Sequence, residues 1–191
     1  MSARRAVAGC MTVAAIVTLT LTIASLAASA TQSKRTAPTG VIADCSTRSL
    51  ADFPGAFTRP RNLVVGPLVL IGGGGTPAFV PPVGGNKFPL LVKAGHRVTV
   101  ELSVNTRRGA GLAYGPLPQG AVHLRDTHRI VTFIACPRSE SSGSSADGQA
   151  VTFWSGGILA RSPRCVPLLV WVDSATAPRH AVVRLGARRC A

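Results

Sequence analysis

Apolar positions in this chain follow two regimes. Residues 6–30 form one uncharged, largely apolar run, and beyond it short apolar stretches alternate with turn residues to the C-terminus. The clearest alternation is at residues 97–104, where Val98, Val100, Leu102 and Val104 interleave with Thr99, Glu101 and Ser103. A period of two predicts a strand with one buried and one wet face. Residues 88–92 and 97–104 read as a hairpin joined at Lys93-Ala94-Gly95-His96. Residues 129–136 repeat the pattern less strictly. Residues 165–172 and 179–185 form a closing hairpin across a Ser/Thr/Ala/Pro turn.

Elsewhere the runs are broken by glycine and proline. Leu63-Val64-Val65 and Leu68-Val69-Leu70-Ile71 flank Gly66-Pro67, which suggests a bulged or bent edge strand. Gly72 to Gly75, Pro77 and Pro81-Pro82-Val83-Gly84-Gly85 read as loop, and Ser155-Gly156-Gly157 as the break between two strands. Residues 31–43 are small and polar, a flexible lead-in to the domain. Residues 139–149, rich in Ser, Gly and Asp, read as a mobile loop. About eight short strands and no amphipathic helix predict an all-β fold: a single antiparallel β-sandwich domain, immunoglobulin-like or similar, over residues 44–191.

The first regime carries different information. Arg4 and Arg5 precede the apolar run, which closes on Ala28-Ser29-Ala30. A basic start, an apolar middle and small residues at −3 and −1 make a secretory signal, with cleavage after Ala30. The alternative is an uncleaved anchor, since about 20 apolar residues can cross a bilayer. Either reading puts the domain outside the cytoplasm, in the cell envelope or beyond, and so decides how its cysteines are read. Cys10 leaves with a cleaved signal. Cys45, Cys136, Cys165 and Cys190 remain, and an even number in an exported chain implies disulfides. Zinc would want close Cys-x-x-Cys pairs, and these four are far apart. In the closing hairpin Cys165 lies opposite the neighbourhood of Gly186, so Cys190 overshoots it. The expected pairs are therefore Cys136–Cys165 and Cys45–Cys190.

The formal net charge is +14, with eighteen arginines to three lysines. Such a chain should adhere to polyanions. The basic residues are scattered in pairs, and only one Tyr and two Trp accompany them, which argues against a specific nucleic-acid surface. Abundant Arg with Ala, Gly, Pro and Val is also what a GC-rich genome produces. If a basic face exists, Arg179, Arg184, Arg188 and Arg189 near the closing hairpin are the candidates for it.

Candidate chemistry is sparse. His123, Asp126 and His128 offer metal-ligand types, but in a strand only Asp126 and His128 would share a face, and Arg125 and Arg129 add repulsion. A polar loop is the simpler reading. A copper site needs a free cysteine, which bridged cysteines do not supply. Ser155 lacks the setting of a nucleophile elbow. The seven carboxylates lie mostly at turns, and Asp173 reads as the first residue of one. Gly72 to Gly75 lacks the Lys-Ser/Thr and the helix of a phosphate loop. Trp154 and Trp171 each sit in an apolar run and read as core. No cofactor motif is present.

Cys165-Val166-Pro167-Leu168, the ending from Val183 to Cys190 and Trp154-Ser155-Gly156-Gly157 resemble segments of uncharacterised exported proteins of high-GC Gram-positive bacteria. That resemblance covers the C-terminal third and implies an exported, cysteine-bridged domain, with no activity attached. The expectation is thus a non-catalytic envelope or extracellular domain that binds anionic wall polymers or a membrane surface through arginine. The alternatives are a secreted hydrolase whose site is assembled by the fold and a partner module that docks by a sheet edge.

Overall fold

Strand pairing divides the domain into two layers. In the computed structural model, which describes residues 36–106, 108–139 and 143–190, there are thirteen strands, four single-turn 3-10 segments and no α-helix. The expected all-β sandwich is what forms. The extra strands are mostly very short ones within stretches whose composition reads as loop. The signal or anchor, its cleavage point and the first part of the lead-in lie outside the described residues. Among the described residues, no helix is long and apolar enough to cross a membrane.

The first layer is a five-stranded sheet. It runs β1 (Val41–Ala43), β8 (Ile130–Ile134), β6 (Arg97–Leu102), β12 (Arg164–Val172), β13 (Arg179–Leu185). All pairs are antiparallel except β1 with β8, which is parallel. The last part of the predicted lead-in is therefore an edge strand. The closing hairpin forms as expected, with Cys165 opposite Arg184.

The second layer comprises two groups of strands. One is β2 (Leu63–Val65), β3 (Leu68–Leu70), β5 (Leu90–Lys93), β10 (Gln149–Trp154) and β9 (Ser145–Ala146). The other is β4 (Gly85–Lys87), β11 (Gly157–Ala160) and β7 (Ala110–Ala113). The two groups share a spine. The register that pairs Lys93 with Val151 and Leu90 with Trp154 continues without a shift to Lys87 with Gly157 and Gly85 with Leu159. The Phe88 N–H donates to the Gly156 carbonyl at 2.9 Å in the gap between them. Residues 85–93 and 151–159 thus make one continuous ribbon, and Ser155-Gly156-Gly157 is no turn. Pro89, which has no N–H to give, sits where the ladder is interrupted.

Two expected connections differ. Residues 63–65 and 68–70 form a two-residue hairpin, with Val65 opposite Leu68, instead of one bent strand. Strands β5 and β6 exist but do not pair, because the chain between them crosses from one layer to the other. That crossing is held by the Gly95 N–H on the Cys136 carbonyl (2.8 Å) and the Arg97 N–H on Asp173 Oδ1 (2.9 Å). Partial burial pushes the Asp173 carboxyl up. The Arg97 N–H, the hydrogen bond from His96 Nδ1 and the imidazole charge outweigh this and hold it below the ordinary carboxylate value.

The core lies between the layers. Val98, Val100 and Leu102 of β6 and Val131 and Phe133 of β8 face Leu68, Leu90, Trp154 and Ile158. Val104, expected to continue the β6 face, lies in a 3-10 turn and is 69% exposed. The opposite face of β6 is not wet either: Thr99 is 3% exposed and its hydroxyl bonds that of Thr132 at 2.9 Å. Trp154 and Trp171 are both buried, as expected of core. Trp154 Nε1 donates to the Asp44 carbonyl at 3.1 Å. The Tyr114 hydroxyl donates to the Phe88 carbonyl at 2.6 Å, and burial pushes its pKa well up, so it stays neutral.

A satellite cluster covers the outer face of β3, β5 and β10. Phe53 packs edge-on against Phe153 at 4.8 Å, with Ala56 and Val69 beside them. The segment 49–57 that supplies it is clasped by the predicted mobile loop. Asp147 accepts the N–H groups of Gly55 and Phe57, and Asp52 accepts the N–H and hydroxyl of Ser145. Residues 143–149 are therefore tied down, because their short polar side chains bond backbone across the gap. Residues 140–142 lie outside the described residues.

The disulfides pair as Cys45–Cys136 and Cys165–Cys190, not as expected. The first follows from the parallel edge. Ala43 lies beside Phe133, so continuing that register brings Cys45 opposite Ala135, one residue short of Cys136 and within reach of it. The second follows from a turn. Gly186 has φ +65, a conformation that side chains with a Cβ disfavour, and it bends the chain back after β13 so that Cys190 returns to Cys165. An extended strand past Leu185 would instead carry Cys190 beyond Cys165. Two disulfides fit an oxidising compartment.

Candidate anion-binding cleft

Three connections meet at one end of the sandwich and build a basic cleft of about 660 Å³. The β6–β7 connection brings Arg108. The segment entering β8 brings His123, Arg125, Thr127 and Arg129, and the connection after β11 brings Arg161. The Arg161 N–H donates to the Gly109 carbonyl at 3.1 Å, which ties the first connection to the third.

The middle segment is shaped by local hydrogen bonds. Residues 124–126 form a 3-10 turn, with the Asp126 N–H on the His123 carbonyl (2.9 Å). Asp126 Oδ2 in return accepts the His123 N–H at 2.9 Å, and Thr127 Oγ1 donates to the Leu124 carbonyl at 2.6 Å. The turn is then stitched to β7 by reciprocal backbone bonds between Leu112 and His128, at 2.8 and 2.9 Å. That close approach requires Gly111, because a Cβ there would overlap the Thr127 side chain. Gly111→Ala is expected to lower stability by about 1–3 kcal/mol, the usual cost of overpacking. A urea melt checks this, and an unchanged midpoint would show that the turn yields without cost.

Electrostatically the cleft is lopsided. Four guanidinium groups border it, and among the described residues the ion pair at its rim is Arg125 Nε to Asp126 Oδ1 at 3.7 Å. Guanidinium groups present planar, paired N–H donors that match phosphate and carboxylate oxygens. Arg108, Arg125, Arg129 and Arg161 are all exposed, so the donors are accessible. The arrangement can receive an anion.

The predicted candidates fare differently. His123, Asp126 and His128 are close in sequence but are not gathered. Asp126 is engaged by the His123 N–H and by Arg125, and His128 Nε2 bonds the Pro116 carbonyl at 3.0 Å. Among the described residues, no group of three His, Cys, Asp or Glu side chains is placed to hold a metal. Arg179 and Arg184 are five positions apart on β13 and so project to opposite faces of that strand. Arg184 Nε reaches the Gly75 carbonyl at 3.4 Å, and Arg188 and Arg189 lie beyond the Gly186 turn. Arg179 and Arg184 therefore do not lie together on one face of β13. Ser155 is exposed, and no described hydrogen bond joins it to a histidine or a carboxylate.

In the sequence Arg125 and Arg129 figure only as neighbours that would repel a metal. Arg108 and Arg161 were visible there only as members of scattered pairs. They come together because β6–β7 and β11–β12 open at the same end of the layers. No protein-family model, no curated protein and no solved structure matches this chain.

Proposed function

We propose that this protein is an exported, non-catalytic domain of the cell envelope that binds anionic wall polymers or membrane headgroups. The observation that carries this reading is the convergence of Arg108, Arg125, Arg129 and Arg161 on one cleft. Scattered surface charge of merely compositional origin has no reason to converge from three separate connections. The two disulfides and the apolar run of residues 6–30 agree with export. In mechanism, paired guanidinium N–H groups replace the counterions of successive phosphates or carboxylates.

Salt dependence tests it. On a dense polyphosphate, four neutralised charges give a slope of log K against log salt of roughly −3. The expected outcome is steep weakening of binding between low and high NaCl. Arg129→Gln with Arg161→Gln should roughly halve the slope, and Arg179→Gln with Arg184→Gln should leave most of it. Retention on anionic wall material that persists unchanged at high salt would overturn the proposal.

A further inference from the structure

The basic cleft does not end in solvent on every side. His123, Leu124 and Arg161 also line a second depression of about 470 Å³, whose other walls include Pro81, Pro82 and Val83. Val83, Val122 and Leu159 in turn line a third, which extends over β4, β7 and β11 to Leu117 and Ala113. The second thus shares walls with both of the others, and the three adjoin in series. Their chemistry changes along the length, from guanidinium groups at one end to a mainly aliphatic wall at the other, where Asn86, Lys87 and Ser155 are the polar members. Val83 is 47% exposed, and Val122 and Leu117 are half-buried, so an apolar strip faces solvent along this trench.

A polyanion alone does not account for the apolar half. Sugar-phosphate or polyol-phosphate chains are polar along their whole length and would leave Val83, Val122 and Leu117 facing water or unmatched hydroxyl groups. A basic end joined to an apolar trench complements an amphiphile with a charged head and a hydrocarbon tail. We infer that the site holds a single phosphorylated lipid, its phosphate among Arg108, Arg125, Arg129 and Arg161 and its alkyl chain along Val83, Val122 and Leu159. The inference rests on the anion-binding reading and deepens it, from adhesion to a charged surface to capture of one lipid molecule. The head supplies orientation and the tail supplies affinity that grows with length.

Chain length is the discriminating variable. The protein purified from its producing cells is titrated calorimetrically with inorganic phosphate, then with n-butyl, n-hexyl and n-octyl phosphate, all below their micelle-forming concentrations. A fully buried methylene raises affinity about fourfold, so a partly open trench should give roughly two- to fourfold per methylene. The double variant Val83→Ser with Val122→Ser should flatten that dependence and leave inorganic phosphate binding unchanged. Arg125→Gln with Arg161→Gln should weaken every member of the series by a similar factor. If phosphate binds but affinity is the same at every chain length, the lipid inference falls and the anion-binding reading stands. A chain-length dependence that survives the valine substitutions also overturns it, since the tail then lies elsewhere. If neither phosphate nor any alkyl phosphate binds, the anion-binding reading itself falls.

Discussion

Replacing Cys45 and Cys136 together by alanine is expected to remove about 4–5 kcal/mol of unfolding free energy. The bond closes a sequence separation of 91, and loop-closure entropy grows with the length of the loop. The bond between Cys165 and Cys190 closes a separation of only 25, and its removal by the same relation costs roughly 3.5 kcal/mol. The ordering is as informative as the magnitudes. In the native state the longer bridge also fastens the end of β1, a three-residue parallel edge strand. Urea melts of both double variants check this. A larger loss at Cys165–Cys190 would mean that native contacts around the C-terminal turn matter more than chain entropy. Because most small domains are stable by only about 5–15 kcal/mol, a loss of this size removes about a third or more of the total.

Phe133→Ala is the second change expected to have a large effect, about 3–5 kcal/mol. Phe133 is fully buried on the inner face of β8. Its ring meets Tyr114 edge-on at 5.4 Å and Trp154 at 5.2 Å, so it is the shared member of an aromatic trio spanning the two layers. Truncation would leave a cavity that neither neighbour can fill. The Tyr114 hydroxyl is held by the Phe88 carbonyl and Trp154 Nε1 by the Asp44 carbonyl. Both rings are thereby fixed at their far ends and cannot collapse inward, which favours the upper part of the range. Ile130→Ala on the same strand, where the side chain is only half-buried, should cost much less. Equal losses at the two positions in a denaturant melt would contradict a core centred on the trio.

Both effects bear on the cleft. Strand β8 follows directly from the turn that carries His123, Arg125 and Arg129, and β7, which carries Gly111, leads into Tyr114. The aromatic trio therefore positions the ends of the two strands that shape the basic site. Loosening it is expected to weaken phosphate binding as well as stability, without any arginine being changed.

Some of this was legible in residue order. A period of two along residues 97–102 identified the inward residues Val98, Val100 and Leu102, and the closing hairpin appears where its turn residues put it. An even set of cysteines after an apolar N-terminal run announced disulfides, and two tryptophans in apolar runs announced core. These are local properties: side-chain alternation and turn preference are set by neighbours along the chain.

What remained needed the tertiary structure, because a strand's pattern names its buried face but not its partner. Backbone ladders are chemically alike whichever strands they join, so nothing in residues 90–93 and 97–102 says that they belong to different layers. Nothing in residues 41–43 announces a parallel neighbour 90 positions away, yet that pairing selects Cys136 as the partner of Cys45. Pro89 and Gly156-Gly157 look like breaks in sequence, yet one register runs through them as a single ribbon. The basic cleft depends on the same long-range order. Arg108, Arg125, Arg129 and Arg161 sit on separate connections, and their side chains share a space only because the strand order opens those connections at one end. The chain by itself determined charge, the all-β class and the presence of disulfides. The pairing of the strands decided which cysteines meet, which arginines converge and what lies beside them.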